Sequence, residues 1–435
     1  MKFFLKTYGC QMNVYDSARI KEMMLTEDHQ FVDKIEQADI YIVNTCSVRD
    51  KPRQRVINHI KHAKNINPRL KVIITGCVAQ IEGDSLFSEG ADFVIGPDWY
   101  KELPALANQT DKESLNRDHF LRTGFKVDNP EFLQANPLRT GVSAFIPIQK
   151  GCNNFCAYCV VPYGRGPERS RPVDEILKEI SVYAEKGVKE IFLLGQNVNS
   201  YHYKEVTFYD LLGKIAALFG VERIRFTTSH PKDLSEQLIS TMASTPKLMP
   251  WFHLPLQSGS NRILKLMHRN YNREHYLELV HELRRQIENI SLTTDVIVGF
   301  PGESEEDFGE TYSLVEQVGY DGMISFKFSV RQGTAAEKME NHLPEQIKKD
   351  RLVRLQTMFE NQISTNLERF SGKICKVLVE GKSRRSRDEA KGRIPQNIFV
   401  NFKLNGDLVP SELVNQIVDV KILEVRTHTL YGQMM

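Results

Sequence analysis

Apolar and polar positions along the first hundred residues follow two alternating rhythms. Short apolar runs at Met1–Thr7, Ala38–Val43, Leu70–Thr75 and Asp92–Ile95 read as strands. Stretches of helical period, Asp16–Glu27, Pro52–Ile66 and Val78–Phe87, fall between them. Parallel strands need crossover connections and helices supply them, so this alternation predicts an α/β domain with a doubly wound parallel sheet. The rhythm is lost over Asn108–Thr140, a polar and uneven stretch with Pro130 and Pro137 that reads as a link or lid. A second series begins at Ser143. Its strands are Ser143–Gln149, Lys189–Leu194, Arg223–Thr228, Trp251–Leu256, Ser291–Val298 and Gly322–Phe328. Helical patterns at Asp174–Lys186, Phe208–Phe219, Ser235–Ser244, Glu274–Glu288 and Glu305–Val318 separate them. Six such units predict a partial (β/α)6 barrel with function at the strand carboxyl ends. A helical stretch at Pro344–Phe370 leads out. From Ser371 short strands (Cys375–Val379, Ile398–Phe402, Ile417–Val425) broken by Gly381, Gly392 and Gly406 predict a small all-β barrel. The expected division is 1–117, a linker at 118–140, 141–370 and 371–435.

The cysteines add chemistry to this frame. Cys10, Cys46 and Cys77 each lie one to three residues beyond a predicted strand, 36 and 31 residues apart, close to one strand–helix–strand period. Carboxyl ends of parallel strands share one edge, so the three thiols should converge on one crevice. One cysteine at a strand end is ordinary packing. Three in register favour a metal or cluster site. The second set, Cys152, Cys156 and Cys159, forms CxxxCxxC directly after the first strand of the second series. Three thiolates in so short a loop suit three irons of a cube, with the fourth left open. A structural zinc site would want a fourth Cys or His nearby, and His202 stands too far off. Cys375 has no partner cysteine near it and reads as packing. His230 and His253, single histidines at or in barrel strands, are more often structural than catalytic.

Composition narrows the class further. With 435 residues, 41% hydrophobic and 26% charged, the chain is neither disordered nor collagen-like. No run approaches the ~18 apolar residues of a membrane span, and the opening Met1–Gly9 is too weakly apolar for a signal peptide. An odd number of cysteines without such a signal points to a reducing, cytoplasmic setting. The net charge of +2 says nothing about partners, but the tail from Ser371 carries eleven Lys and Arg against seven Asp and Glu. Four of those cations lie in Lys382–Arg387, where Arg384, Arg385 and Arg387 are candidate phosphate contacts. A solvated, charged turn is the plainer reading.

The CxxxCxxC segment Gly151–Cys159, at this place in a strand–helix barrel, resembles the radical S-adenosylmethionine (SAM) enzymes. The resemblance extends to the methylthiotransferases among them through Tyr8–Asn13, Asn44–Arg49, Thr75–Gln80, Arg165–Arg171, Leu194–Asn199 and Asp295–Glu303. The β tail stands where that family has its RNA-binding TRAM domain. Membership implies two 4Fe-4S clusters. Cys152, Cys156 and Cys159 would hold one, whose open iron is chelated by exchangeable SAM. Cys10, Cys46 and Cys77 would hold an auxiliary cluster carrying the sulfur to be transferred. One SAM would methylate that sulfur, and a second would supply the 5′-deoxyadenosyl radical. By the same resemblance Tyr158 borders the SAM adenine, and Gly195, Gln196 and Asn197 meet its amino or carboxylate group. Asp295, Gly299 and Glu303 contact ribose and adenine. Arg165, with Arg169 and Arg171, would pair with a phosphate or the SAM carboxylate. The plainer readings are a turn held by Asn and Gln side chains and a helix start at Ser304 before Glu305, Glu306 and Asp307.

Gly9–Asn13 and His253–Ser260 look most like the branch that methylthiolates carbon 2 of N(6)-isopentenyladenosine next to the anticodon in tRNA. The alternatives are N(6)-threonylcarbamoyladenosine in tRNA, a ribosomal-protein aspartate, or a zinc-holding RNA-binding protein without catalysis. Gly164 and Gln332 depart from the family pattern, which has Thr or Ala and Pro there. The partners implied are tRNA, an electron donor such as flavodoxin or ferredoxin, and a sulfur or cluster donor, with no membrane and a monomeric chain.

Overall fold

The computed structural model describes residues 1–47, 50–108, 121–127, 132–133, 141–384, 386, 388–406 and 408–435. Six parallel strands form the first sheet: β1 (Lys2–Thr7), β2 (Gln30–Phe31), β3 (Ile40–Thr45), β4 (Lys71–Gly76), β5 (Phe93–Ile95) and β6 (Leu121–Arg122), in the order β2-β1-β3-β4-β5-β6. Strand β3 is buried along its whole length, and its side chains feed two cores in alternation. Tyr41 and Val43 pack with Val72, Ile74, Val56 and Ile60 on one face. Ile40 and Ile42 pack with Ile73, Tyr15 and Ile20 on the other. Burying each such residue contributes about 1.5–3 kcal/mol, which is why the run is apolar without alternation.

Two details depart from the sequence reading. The first helix spans Gln11–Thr26 and starts directly after Cys10. Its opening turns bury Asn13, Asp16, Ser17 and Arg19, so a polar buried face hides the helix from an apolar-period reading. Leu121–Arg122, expected within the linker, pairs with β5 as an edge strand.

The second series forms the barrel. After β7 (Ser143–Pro147), the short β8 (Gln149–Lys150) pairs antiparallel with β9 (Arg169–Ser170). Strand β10 (Glu190–Leu194) pairs parallel with β7 and, after the hairpin β11 (His202–Tyr203) and β12 (Val206–Thr207), with β13 (Arg223–Phe226). The other half is parallel β14 (Trp251–His253), β15 (Ser291–Val298) and β16 (Gly322–Lys327). An Ile224–Leu248 bridge lies between the halves. Phe192, Leu194 and Trp251 pack on Phe145 and on Met12, so the N-terminal domain supplies an apolar side chain to the barrel wall.

The helix Glu345–Leu367 leads into a closed barrel of β17 (Ile374–Lys382), β18 (Glu389–Arg393), β19 (Phe399–Lys403), β20 (Ile417–Arg426) and β21 (Thr429–Met434). Three of these strands are visible in the sequence. The Glu-Ala-Lys-Gly-Arg of β18 buries only Ala390 and Gly392, too little to show a strand pattern. The tail docks on the amino ends of β10 and β13. Arg225 is ion-paired with Glu190 at 2.7 Å and donates to the carbonyls of Pro395 (2.6 Å) and Ile394 (3.0 Å). Arg223 donates to the carbonyls of Arg393 and Lys376, both at 2.9 Å. Among the described residues no helix is long and apolar enough to cross a membrane.

Candidate active site

Strands β1, β3 and β4 are neighbours, so the turns after them meet. Cys10 lies three residues past β1, Cys46 directly past β3, and Cys77 opens the helix Cys77–Glu82 after β4. Two buried amides lock these turns. Asn13 Nδ2 donates to Asn44 Oδ1 (2.8 Å) and to the Thr45 carbonyl (2.9 Å). Asn44 Nδ2 donates back to the Asn13 carbonyl (3.0 Å) and to Ser17 Oγ (3.0 Å). Gly76, at φ +93°, sits so close to β3 that a Cβ would lie 2.3 Å from the Thr45 carbonyl oxygen. Cys46 and Cys77 are buried and Cys10 is exposed at the crevice mouth. A hydrogen bond with Cys46, aided by the Arg165 charge, pulls the Cys10 thiol down to about 6, whereas burial pushes Cys77 up.

The second set sits on a loop closed at its base by the β8–β9 ladder. The Cys152 amide donates to the Gly166 carbonyl (3.1 Å), and the Gly151 amide donates to Gln196 Oε1 (2.6 Å). Gly151 has φ +79° and would place a Cβ 2.0 Å from the Pro167 carbonyl oxygen. Farther along, the Ala157 amide donates to the Met267 carbonyl (3.0 Å) and its carbonyl accepts from Ala336 (2.7 Å). Burial pushes Cys152 up to about 11 and Cys159 up to about 12. Arg269, which sequence reasoning missed, is buried against this set. It donates to Cys156 Sγ (3.5 Å), to the Tyr271 hydroxyl (3.2 Å) and to the Pro255 carbonyl (3.1 Å). Tyr158 is half-buried against Met267 and Phe300.

The remaining candidates divide by what their side chains touch. Gln196 accepts from the cysteine loop, and Gly195 packs against Gln149 and Val198. Asn197 donates to Asp233 Oδ2 at 2.7 Å. Its own Oδ1, together with Ser229 Oγ and Asp295 Oδ1, is buried with no hydrogen-bond partner among the described residues. These three orphaned oxygens lie on β15 or just beyond β10 and β13. Buried acceptors left unpaired are costly, so each of these oxygens is a candidate to receive a donor from a bound ligand. His253 spends Nδ1 on Thr293 Oγ1 (3.0 Å) and faces Asp295 at 3.5 Å, while His230 is buried edge-on to Tyr271.

Glu303 and Gly299 are held by the long helix that closes the barrel domain. The Glu303 carboxylate accepts from the Gly299 amide (2.9 Å) and from Arg351 (2.6 Å), and Lys348 covers Gly299. Both are thus engaged by the helix Glu345–Leu367, and the contacts that hold them are internal. The three arginines of this stretch are also engaged within the protein. Arg169 pairs with Asp98, and Arg171 with Glu179. Arg165 turns into the N-terminal crevice, with Nε on Cys77 Sγ at 3.1 Å, Nη2 on Asn13 Oδ1 at 3.4 Å and Nη1 beside Asp16 at 2.8 Å. In the tail Arg384 is exposed, while Arg385 and Arg387 lie outside the described residues.

Each set therefore offers three thiols from separate backbone positions with one buried arginine against them. No three His, Cys, Asp or Glu among the described residues close on a single ion. A cube held through three different irons asks for no such closure, so the donor sets fit iron–sulfur clusters.

Family models match the chain in three parts: the uncharacterized protein family UPF0004 over residues 2–96, the Radical SAM superfamily over 146–315 and the TRAM domain over 368–435. Among solved structures, the radical SAM methyltransferase TsrM from Kitasatospora setae is 14% identical, with 77% of each chain covered and a TM-score of 0.58. The cobalamin-dependent SAM radical enzyme OxsB is 12% identical, over 84% of this chain and 57% of that one, with a TM-score of 0.54. These two show a shared fold. Relatives named tRNA-2-methylthio-N(6)-dimethylallyladenosine synthase come much nearer. The one from Thermodesulfovibrio yellowstonii is 42% identical over 99% of this chain and 98% of its own. That from Syntrophus aciditrophicus is 42% identical over 99% and 94%. Identity at this level over nearly the whole of both chains makes the protein a member of the tRNA-2-methylthio-N(6)-dimethylallyladenosine synthase family of radical SAM enzymes.

Proposed function

We propose that the protein transfers a methylthio group to carbon 2 of N(6)-isopentenyladenosine beside the anticodon in tRNA. The observation that carries this reading is the pair of three-cysteine sets, Cys10, Cys46 and Cys77 with Cys152, Cys156 and Cys159, in a chain 42% identical to relatives named tRNA-2-methylthio-N(6)-dimethylallyladenosine synthase. Residues 1–117 hold an auxiliary 4Fe-4S cluster through Cys10, Cys46 and Cys77. Residues 141–370 hold the second through Cys152, Cys156 and Cys159, and residues 371–435 contact RNA. When bound, the clusters and SAM supply the transferred sulfur, the methyl group and the radical that removes hydrogen from the adenine.

The chain's own part is positional. Gln149 accepts from the Asn197 amide at 3.2 Å, and Gln196 accepts from Gly151. Together they hold the end of β10 against the cysteine loop. The orphaned oxygens of Asn197, Ser229 and Asp295 receive polar groups of SAM, and Tyr158 borders its adenine. Arg269 fixes Cys156 by a donated hydrogen bond. The partners are tRNA, a one-electron donor of the flavodoxin or ferredoxin class and a sulfur or cluster donor, and the chain acts as a cytoplasmic monomer.

The test is nucleoside mass spectrometry after anaerobic incubation of reconstituted protein with SAM, reductant and tRNA carrying N(6)-isopentenyladenosine. A methylthio group on that nucleoside supports the reading. Formation of 5′-deoxyadenosine without it would send the search to threonylcarbamoyladenosine or a ribosomal protein. Neither product would overturn the cluster assignment. Replacing Arg384, Arg385 and Arg387 together by alanine should weaken tRNA binding and flatten its dependence on log[salt] by roughly 0.7–0.9 for each phosphate that is no longer neutralised. An unchanged slope removes this turn from the RNA footprint.

A further inference from the structure

Arg165 belongs by sequence to the radical SAM domain, closing the helix Val161–Arg165 six residues after Cys159. By contact it belongs to the other set. It is 3% exposed, and its three guanidinium nitrogens reach Cys77, Asn13 and Asp16 of the N-terminal domain. Asn13 Oδ1 accepts from both Arg165 and Cys10 Sγ (3.2 Å). Arg165 therefore touches one thiol directly and a second through a single amide. The approach is close as well as polar: a Cβ on the neighbouring Gly164 would lie 3.1 Å from Cys77 Cβ. The Arg165 carbonyl in turn accepts from Arg169 (2.8 Å), which pairs with Asp98 of the N-terminal domain.

We propose that Arg165 is a positioning residue for the N-terminal cluster, donating through Nε to Cys77 and fixing Asn13 beneath Cys10, so that this cluster's shell is completed only when the radical SAM domain is docked. The inference rests on the two-cluster reading above. Hydrogen bonds to a cluster's sulfurs and nearby charge set its potential. A guanidinium facing thiolates stabilises the reduced, more negative state. Asp16 opposes it from 2.8 Å away. The two residues thus act on the cluster with opposite sign, although both clamp the same interface.

That opposition supplies the test. A full-length chain with Cys152, Cys156 and Cys159 replaced by alanine leaves one set able to take a cluster, and its midpoint potential is read by electron paramagnetic resonance during dithionite titration. Arg165→Met should lower the reduced-to-oxidised ratio at fixed potential about tenfold, a downward shift of ~59 mV for one electron, and Arg165→Lys should restore most of it. Asp16→Asn should shift the potential upward. If Arg165→Met does not accumulate as folded protein, the sign of the Asp16→Asn shift decides alone. Shifts in the same direction from both variants, or none, mean an interface clamp and overturn the inference. Absence of iron and labile sulfide in the parent with Cys10, Cys46 and Cys77 intact would instead overturn the two-cluster reading, and the inference with it.

Discussion

Cys156→Ala should abolish both 5′-deoxyadenosine and the methylthiolated nucleoside, whereas Cys46→Ala should keep the first and lose the second. The two thiols lie in different domains and are held by different residues. Cys156 accepts from Arg269 on a loop tied to the Met267 and Ala336 backbone. Cys46 follows β3 and bonds with Cys10. Neither hydrogen-bond set includes the other's thiol, so removing one leaves the other's support in place. Loss of an outer-shell partner of a metal site typically costs roughly 10–100-fold in affinity or activity, and loss of a ligand itself should exceed that. Formation of the methylthiolated nucleoside should therefore fall by more than about a hundredfold in the Cys46 variant, with SAM cleavage within a few-fold of the parent. Chromatography of both products from one reaction reads the split. Methylthiolated nucleoside from the Cys46 variant at parental yield would sink the assignment of a separate sulfur-carrying cluster.

How far this arrangement is legible in the sequence depends on the scale of the contact. Convergence of Cys10, Cys46 and Cys77 follows from parallel topology alone, because β1, β3 and β4 share an edge and their carboxyl ends align. The barrel strands are legible because each is an apolar run between helices. Destinations that depend on docking leave no such trace. Arg165 and Arg169 follow soon after the CxxxCxxC loop in the chain, and that proximity suggests a SAM or phosphate contact. Their partners are Asp16 and Asp98, far away in sequence. A polar residue on the buried face of a helix is one available signal, and Asp16 and Arg19 carry it in the helix Gln11–Thr26. Glycine gives another: Gly76 and Gly151 each directly precede a cysteine and both have positive φ. A left-handed turn or close approach is the physical reason for glycine there. Arg269 carries no local signal, since only the fold brings it to Cys156.

Asp98→Ala should lower stability by about 3–5 kcal/mol, the loss typical when one member of a buried ion pair is removed. Asp98 is 3% exposed, and its carboxylate meets two cations of the barrel domain, Arg169 and Lys150, the latter at 3.5 Å. It also accepts from the Lys126 amide at 3.1 Å. Lys150 and Arg169 are themselves buried and belong to the β8–β9 ladder at the base of the cysteine loop. Without Asp98 these two positive charges face each other with less compensation, and repulsion acts where the loop is anchored. At ~2–4 °C per kcal/mol for a domain of this size, the thermal midpoint should fall by about 10 °C. Asp98→Asn separates charge from shape, since the amide keeps an acceptor for the Lys126 amide and gives up the negative charge. If pairing is what matters, Asn should cost nearly as much as Ala, and scanning calorimetry should place both well below the parent. A parental midpoint for Asp98→Asn would show that hydrogen bonding, not charge, joins the domains. Because Arg169 also holds the Arg165 carbonyl, the Asp98 variants should loosen the N-terminal thiol set too, and on the two-cluster proposal a cluster held there should then lose iron to a chelator faster than one held by Cys152, Cys156 and Cys159.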